Sequence, residues 1–132
     1  MITNRKLDWA ALLLRLVFGG LMLANHGWPK LQKVIDGRLD QFGDPLGIGA
    51  PASLLLAVFA ELLCSVFLLL GLFTRWALAP LVFTMIVATF VVHGSDPLPE
   101  KELGLLYLFA FLAIWLIGPG WYSLDARLLK RI

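Results

Sequence analysis

The sequence predicts an all-α integral membrane protein, a four-helix bundle with its N- and C-termini in the cytoplasm. Hydrophobic residues make up 60% of its 132 residues and charged residues only 15%, whereas a soluble domain carries about a quarter charged residues. Four apolar stretches, at residues 8–28, 51–73, 76–93 and 103–118, are separated by polar segments. A backbone in lipid must satisfy its own hydrogen bonds, so these stretches should be helices. Residues 1–132 then form a single transmembrane domain.

The four predicted helices have clear boundaries. Helix 1 should not continue far beyond Pro29, and a loop rich in glycine and proline at 37–51 leads into helix 2. Only residues 71–75 lie between helices 2 and 3, so these two helices should be antiparallel neighbours. Residues 96–99 interrupt the chain before helix 4, and 118–120 end it. A crossing needs about 20 residues, which makes helix 4 short and helix 2 ample.

The distribution of Lys and Arg predicts the orientation. With four crossings, the termini and the helix 2–3 turn share one side, which carries six basic residues: Arg5, Lys6, Arg75, Arg127, Lys130 and Arg131. The opposite side carries four: Lys30, Lys33, Arg38 and Lys101. Because cytoplasmic loops carry the excess of positive charge, the six-residue side should be cytoplasmic, in a plasma or inner membrane. The apolar composition makes the lipid bilayer the expected partner, and a net charge of +2 is too small and too scattered to suggest nucleic acid.

Cysteine usage limits the possible chemistry. Cys64 is the only cysteine, so the chain has no intramolecular disulfide and no Cys-x-x-Cys couple. Any redox function must therefore use a bound cofactor or a partner protein.

Ionisable residues at membrane depth are the candidate functional residues, because each costs at least about 2.5 kcal/mol at a helix centre. Glu61 is too deep for its short side chain to reach water, so it must be paired, protonated or facing a wet cavity. If Trp9 is level with Phe73, Glu61 lies near the level of Leu21, and Arg15 is about 9 Å below it along the axis. Glu61 should then meet polar groups in the outer half of the bundle. The predicted ligand-binding cluster is His26, Glu61, His93, Glu102, Asn25 and Lys30.

Other interpretations of these polar residues stay open. Arg15 is expected to act as a structural polar tie between helices, or to extend its charged end to the inner headgroups. It would pair directly with Glu61 only if the helices are offset. His26 and His93 are also candidate axial ligands of a haem. Helical spacing alone often produces such pairs of histidines, so a quinone remains the favoured ligand. No metal is predicted, since no Glu-x-x-His pair is present.

Three segments together resemble the DoxX family of small four-helix membrane proteins: LLLRLVFGGLMLANHGWPKL at 12–31, AELLCSVFLLLGLFTRWALAPL at 60–81 and GPGWYSLDARL at 118–128. The resemblance implies a membrane subunit associated with oxidoreductases. The relatives that gave the family its name belong to a thiosulfate:quinone oxidoreductase, and others are linked to oxidative stress or quinone detoxification.

The expected function is therefore a quinone- or small-lipophile-binding membrane subunit, with an oxidoreductase as partner protein. Any catalytic role would depend on that partner. The alternative is a non-catalytic scaffold or assembly partner whose buried polar residues only fix helix packing. Transport is disfavoured because one four-helix chain has no inverted repeats, although a homo-oligomer would change that judgement.

Overall fold

The structure, a computed structural model, describes residues 4–129, and every regular element in that range is helical. The helices are α1 Arg5–Ile35, α2 Ala50–Leu70, α3 Thr74–Val92, α4 Leu98–Ile117 and α5 Leu124–Leu129, with a short 3₁₀ turn at Leu39–Gln41. Three of the described helices, α1 to α3, are long and apolar enough to cross a membrane. The fourth, α4, has 20 residues but begins with the charged residues 100–102. Lys130 and Arg131, used above to predict the orientation, lie outside the described residues.

Helix α1 is longer than predicted, because it continues through Pro29 to Ile35. A proline inside a helix clashes with the carbonyl of the preceding turn. Here the turn before it, Leu23–Gly27, is π-helical, and this wider turn relieves the clash. The expectation that Pro29 ends the helix was therefore wrong. As a consequence Lys30, expected on the outer surface, lies on a helix that packs against α2.

The core lies between α2, α3 and α4, with α1 packed along one side. Its fully buried apolar side chains include Met22, Leu68, Leu78, Leu81 and Phe111. The outward faces are also apolar: Trp76 is 81% and Leu116 82% exposed. A helix that is apolar on all sides belongs in lipid or in the core of a large protein. The helices of this chain therefore present their outer faces to hydrocarbon.

Two glycines determine how α1 and α2 align. A Cβ on Gly19 would lie 3.3 Å from Leu69 Cγ, and one on Gly27 would lie 2.8 Å from Leu62 Cα. Glu61 is therefore level with Gly27 and not with Leu21, a shift of about 9 Å along the axis. The alignment by helix ends was wrong because close glycine packing, which lets backbones approach, determines it instead.

Candidate functional site

Four π-helical turns carry most of the polar residues expected at membrane depth. They are Arg15–Gly19, Leu23–Gly27, Phe59–Leu63 and Ala88–Val92. A π turn leaves the regular i→i+4 ladder and is frequent at functional sites. Two of these turns face each other across the α1–α2 interface, and they contain His26 and Glu61.

Lys30 and Glu61 form an ion pair between α1 and α2. The Lys30 ammonium lies 3.1 Å from Glu61 Oε1, to which it donates a hydrogen bond, and 3.0 Å from Oε2. The Glu61 side chain is 5% exposed and that of Lys30 is 20% exposed. Because Gly27 has no side chain, the two backbones come close enough for Lys30, about one turn farther along α1, to reach the carboxylate. The charge of Glu61 is thus compensated inside the protein.

This ion pair is part of the wall of a cavity of about 400 Å³, here called the outer groove. The groove runs between α2 and α3, with Phe59 on one side and Phe83 on the other. Four of its sixteen lining residues are polar: Lys30, Ser53, Glu61 and Thr84. Phe59 and Phe83 remain 47% and 55% exposed, so the groove is open along an apolar face. A cavity of this size with few polar groups is typical of a small-molecule site.

The segment between α1 and α2 covers the outer end of the groove. Phe42, Pro45 and Leu46 contribute to the lining. The segment is held by the Asp44 carboxylate, which accepts hydrogen bonds from the N–H groups of Ile48 (2.9 Å) and Gly49 (2.9 Å). It also accepts one from Ser53 Oγ (3.0 Å), in the first turns of α2. The hydrogen bond from Gly49 is the main cause that lowers the pKa of Asp44 from its ordinary value of 3.8.

Of the other predicted ligand-binding residues, His26 lies one turn before Lys30 on α1, close enough for the two side chains to interact electrostatically, whereas Asn25, His93 and Glu102 do not line the groove. His26 packs edge-on against the Tyr107 ring, with centroids 5.4 Å apart. His93 follows the end of α3, and its Nδ1 lies 2.7 Å from Asp96 Oδ2. Asn25 and Glu102 are exposed. The structure thus brings together Lys30 and Glu61, out of the predicted six, in the groove wall; the His26 ring faces Tyr107 of α4 instead, and His93 and Glu102 lie near the ends of α3 and α4.

A haem or metal site does not fit this arrangement. Neither histidine is among the lining residues of the outer groove, and the His93 side chain is 44% exposed beside Asp96. Within residues 4–129, no group of three His, Cys, Asp or Glu side chains is placed to hold a metal ion.

Arg15 binds backbone carbonyls at the opposite end of the helices. It is fully buried and donates hydrogen bonds to the carbonyls of Tyr122 (2.7 Å) and Leu69 (3.5 Å). It therefore ties α1 to the end of α2 and to the segment after α4. Twelve residues of α1 separate it from Gly27, which is level with Glu61, so the two charges are about 18 Å apart along the axis.

Two carboxylates, those of Asp8 and Asp125, also bind backbone groups at this end of the molecule. Together with Arg15 they are here called the inner clamp. Asp125 accepts hydrogen bonds from the N–H groups of Phe73 (2.7 Å) and Thr74 (2.9 Å), at the start of α3. Asp8, which is 7% exposed, accepts one from the Trp121 N–H (2.8 Å). The motif at 118–128 that carries part of the family resemblance thus serves to dock the C-terminal segment.

Sequence reasoning missed Asp8, Asp44, Asp125 and the groove-lining residues of the loop. Asp44 carried a usable signal, since an Asp before a glycine-rich turn commonly accepts backbone hydrogen bonds two to five residues on. Asp8 and Asp125 carried none, because their partners are more than 50 residues away in the chain.

Comparison with known proteins confirms the family resemblance. A family model described as DoxX matches residues 10–94, a range that includes Lys30, Glu61 and all the lining residues of the outer groove. An uncharacterized protein of Haemophilus influenzae is 32% identical over 117 residues, which cover 83% of this chain and 84% of that protein. No solved structure matches. On these grounds the chain belongs to the DoxX family.

Proposed function

We propose that this protein is a membrane-embedded subunit of an oxidoreductase system that binds a quinone, or a similar small lipophile, in the outer groove. The observation that carries the proposal is the position of the Lys30–Glu61 ion pair in the wall of an otherwise apolar groove. Apolar walls favour a lipophilic ligand, and a single charged pair gives that ligand a defined orientation.

The chemistry of the ion pair suits a quinone carbonyl. A Lys ammonium has three donors, and only one of them hydrogen-bonds to Glu61. A second can hold a carbonyl oxygen of the ligand. The Glu61 carboxylate, next to that oxygen, can accept one of the two protons released when a quinol is oxidised, and the carboxylic acid so formed can return it when a quinone is reduced. Electrons would come from a partner oxidoreductase, since the chain has one cysteine and no dithiol couple of its own.

The proposed membrane arrangement has four crossings and cytoplasmic termini. Helix α4 is 20 residues long and packs against α3, which is sufficient for a fourth crossing. The outer side carries four basic residues, Lys30, Lys33, Arg38 and Lys101, against six on the inner side of the sequence. This bias supports cytoplasmic termini in the inner or plasma membrane.

The test is quinone binding by the protein in lipid nanodiscs. Decyl-ubiquinone would be titrated while the tryptophan fluorescence of the protein is recorded. We expect Lys30→Met and Glu61→Gln each to weaken binding about tenfold, the effect of losing one hydrogen bond to a charged group. Glu102→Gln and His93→Ala are the matched controls, because both residues lie away from the ion pair, and they should bind as the unmodified protein does.

Two results would contradict the proposal. Equal affinity of the unmodified protein and the Glu61→Gln variant would show that the ion pair does not hold the ligand. No binding by any of these proteins, together with reduced stability of Glu61→Gln, would instead favour the scaffold function. Native mass spectrometry of protein extracted from its own membrane would check the same point, since a bound quinone would add a defined mass.

A further inference from the structure

We propose that residues 37–49 form a lid over the outer groove, that Asp44 latches this lid to α2, and that access to the groove from the aqueous side requires the latch to open. The ligand in this proposal rests on the proposed function. The lid itself rests on the structure of the segment and can be tested without any ligand.

The first argument is the position of the segment. Phe42, Pro45 and Leu46 form the outer end of the groove lining. The rest of the lining comes from the long helices α2 and α3 and from Lys30 of α1, and the open side of the groove is the apolar face that carries Phe59 and Phe83. A movement of the loop alone would therefore open the groove from the outer aqueous side while the helices remain packed.

The second argument is that little holds the segment in place. Leu46 and Ile48 are 45% and 48% exposed, and Asp44 is itself exposed. Besides the Asp44 hydrogen bonds, the segment is held by Lys33, whose Nζ lies 5.8 Å from the centroid of the Phe42 ring, by packing of the turn Leu39–Gln41 against α2, and by backbone hydrogen bonds at its two ends. No side chain of residues 37–49 is fully buried. Segments with few buried contacts open at low free-energy cost, and binding-site lids are drawn from such segments.

The third argument is that the segment has a hinge at each end. Gly37 has φ +71° at its beginning, and Gly47 and Gly49 have φ +70° and +100° at its end. Residues other than glycine rarely adopt these angles. Hinge positions of lids are a few terminal residues that absorb large backbone changes.

Asp44 is the residue best placed to control the opening. Its carboxylate bonds to Ile48 and Gly49 within the segment and to Ser53 in α2. It thus fixes the second hinge in its closed conformation and ties it to a helix that does not move. Asp44 does not line the groove, so it acts by positioning the lid and not by contacting the ligand.

The decisive experiment measures access to the groove with a cysteine label. In a Cys64→Ala background, Ala57→Cys places a thiol in the groove lining. A charged, water-soluble maleimide then reports how often the lid opens. We expect Asp44→Ala to speed labelling about tenfold, the factor corresponding to one hydrogen bond to a charged group. Asp44→Asn, which retains one acceptor oxygen, should have a smaller effect. Asp40→Ala, which removes another exposed carboxylate of the segment, should have none.

Two outcomes would overturn the lid. One is an equal labelling rate with and without Asp44. The other is faster labelling at Ala113→Cys on α4 as well, since that would indicate general loosening of the helices. Titration with decyl-ubiquinone separates the two proposals, because this lipophilic ligand can reach the groove through its open apolar face without opening of the latch. If no variant binds the quinone, the proposed function fails while the labelling rates still decide the lid.

Discussion

Removing the two partners of the Lys30–Glu61 ion pair one at a time and together should show strongly non-additive effects on stability. Breaking a fully buried pair by removing one partner costs about 3–5 kcal/mol. The Lys30 side chain is 20% exposed, so the pair is not fully buried and solvent screening reduces this cost. We expect Lys30→Met to lower the free energy of unfolding by about 2–3 kcal/mol, because the Glu61 carboxylate loses its counter-charge. Glu61→Gln should cost only about 1 kcal/mol, since the long Lys30 side chain can extend its ammonium toward water at the end of the bundle.

The double variant Lys30→Met, Glu61→Gln should be about as stable as Glu61→Gln alone, because it leaves no unpaired charge. The resulting coupling energy is about 2–3 kcal/mol, within the range observed for residues in contact. The measurement is reversible unfolding in mixed micelles by SDS titration, followed by tryptophan fluorescence. Additive effects, with a coupling below about 0.5 kcal/mol, would refute the reasoning, because they would mean that the carboxylate is not compensated by Lys30.

Three further predictions concern helix packing, the inner clamp and the loop. Gly27→Ala should lower the free energy of unfolding by about 1–3 kcal/mol through overpacking against α2. Gly20→Ala is the control and should be neutral or stabilising, because its Cβ would meet only a side-chain atom at 4.0 Å. SDS titration measures both, and equal effects would contradict the close approach of α1 and α2 at Gly27. Arg15→Lys should cost about 2 kcal/mol in the same assay, because lysine cannot reach both carbonyls, and an unchanged stability would show that the clamp does not depend on the guanidinium. The Ile48 and Gly49 amides should be protected from hydrogen exchange while the Asp44 carboxylate is charged and accepts their hydrogen bonds. Because the pKa of Asp44 in the folded protein is below its ordinary value of 3.8, protection should be complete above pH 3.8 and lost as the pH falls through the lower, folded-state pKa. Loss already at pH 6 would contradict this.

Much of the fold could be predicted, because lipid restricts the choices of the chain. Apolar stretches of membrane length have no alternative to helix in hydrocarbon, so the four long helices were predicted close to their observed positions. The end of α1 was not predicted correctly. Whether Pro29 interrupts the helix depends on the π turn before it, and that turn packs against α2, which the local sequence does not reveal.

The candidate site was predicted only in part. Glu61 was singled out from its depth alone, since a carboxylate in mid-membrane needs an explanation wherever it points. Its partner was not singled out: Lys30 was one of five suggested, and His93 and Glu102 were included because they lie at the outer ends of helices 3 and 4. A shift of about 9 Å between α1 and α2 changes which of their residues are level.

The sequence by itself determined the membrane character of this protein, its family, its helical segments and the importance of Glu61, because these follow from local composition and from the high cost of burying charge. Only the tertiary structure decided which residues meet: the alignment of α1 on α2 through Gly27, the groove with its loop cover, and the docking of Asp8 and Asp125 on distant backbone groups. The physical reason is that close packing between helices depends on the shapes of both surfaces at once, and no single segment contains that information.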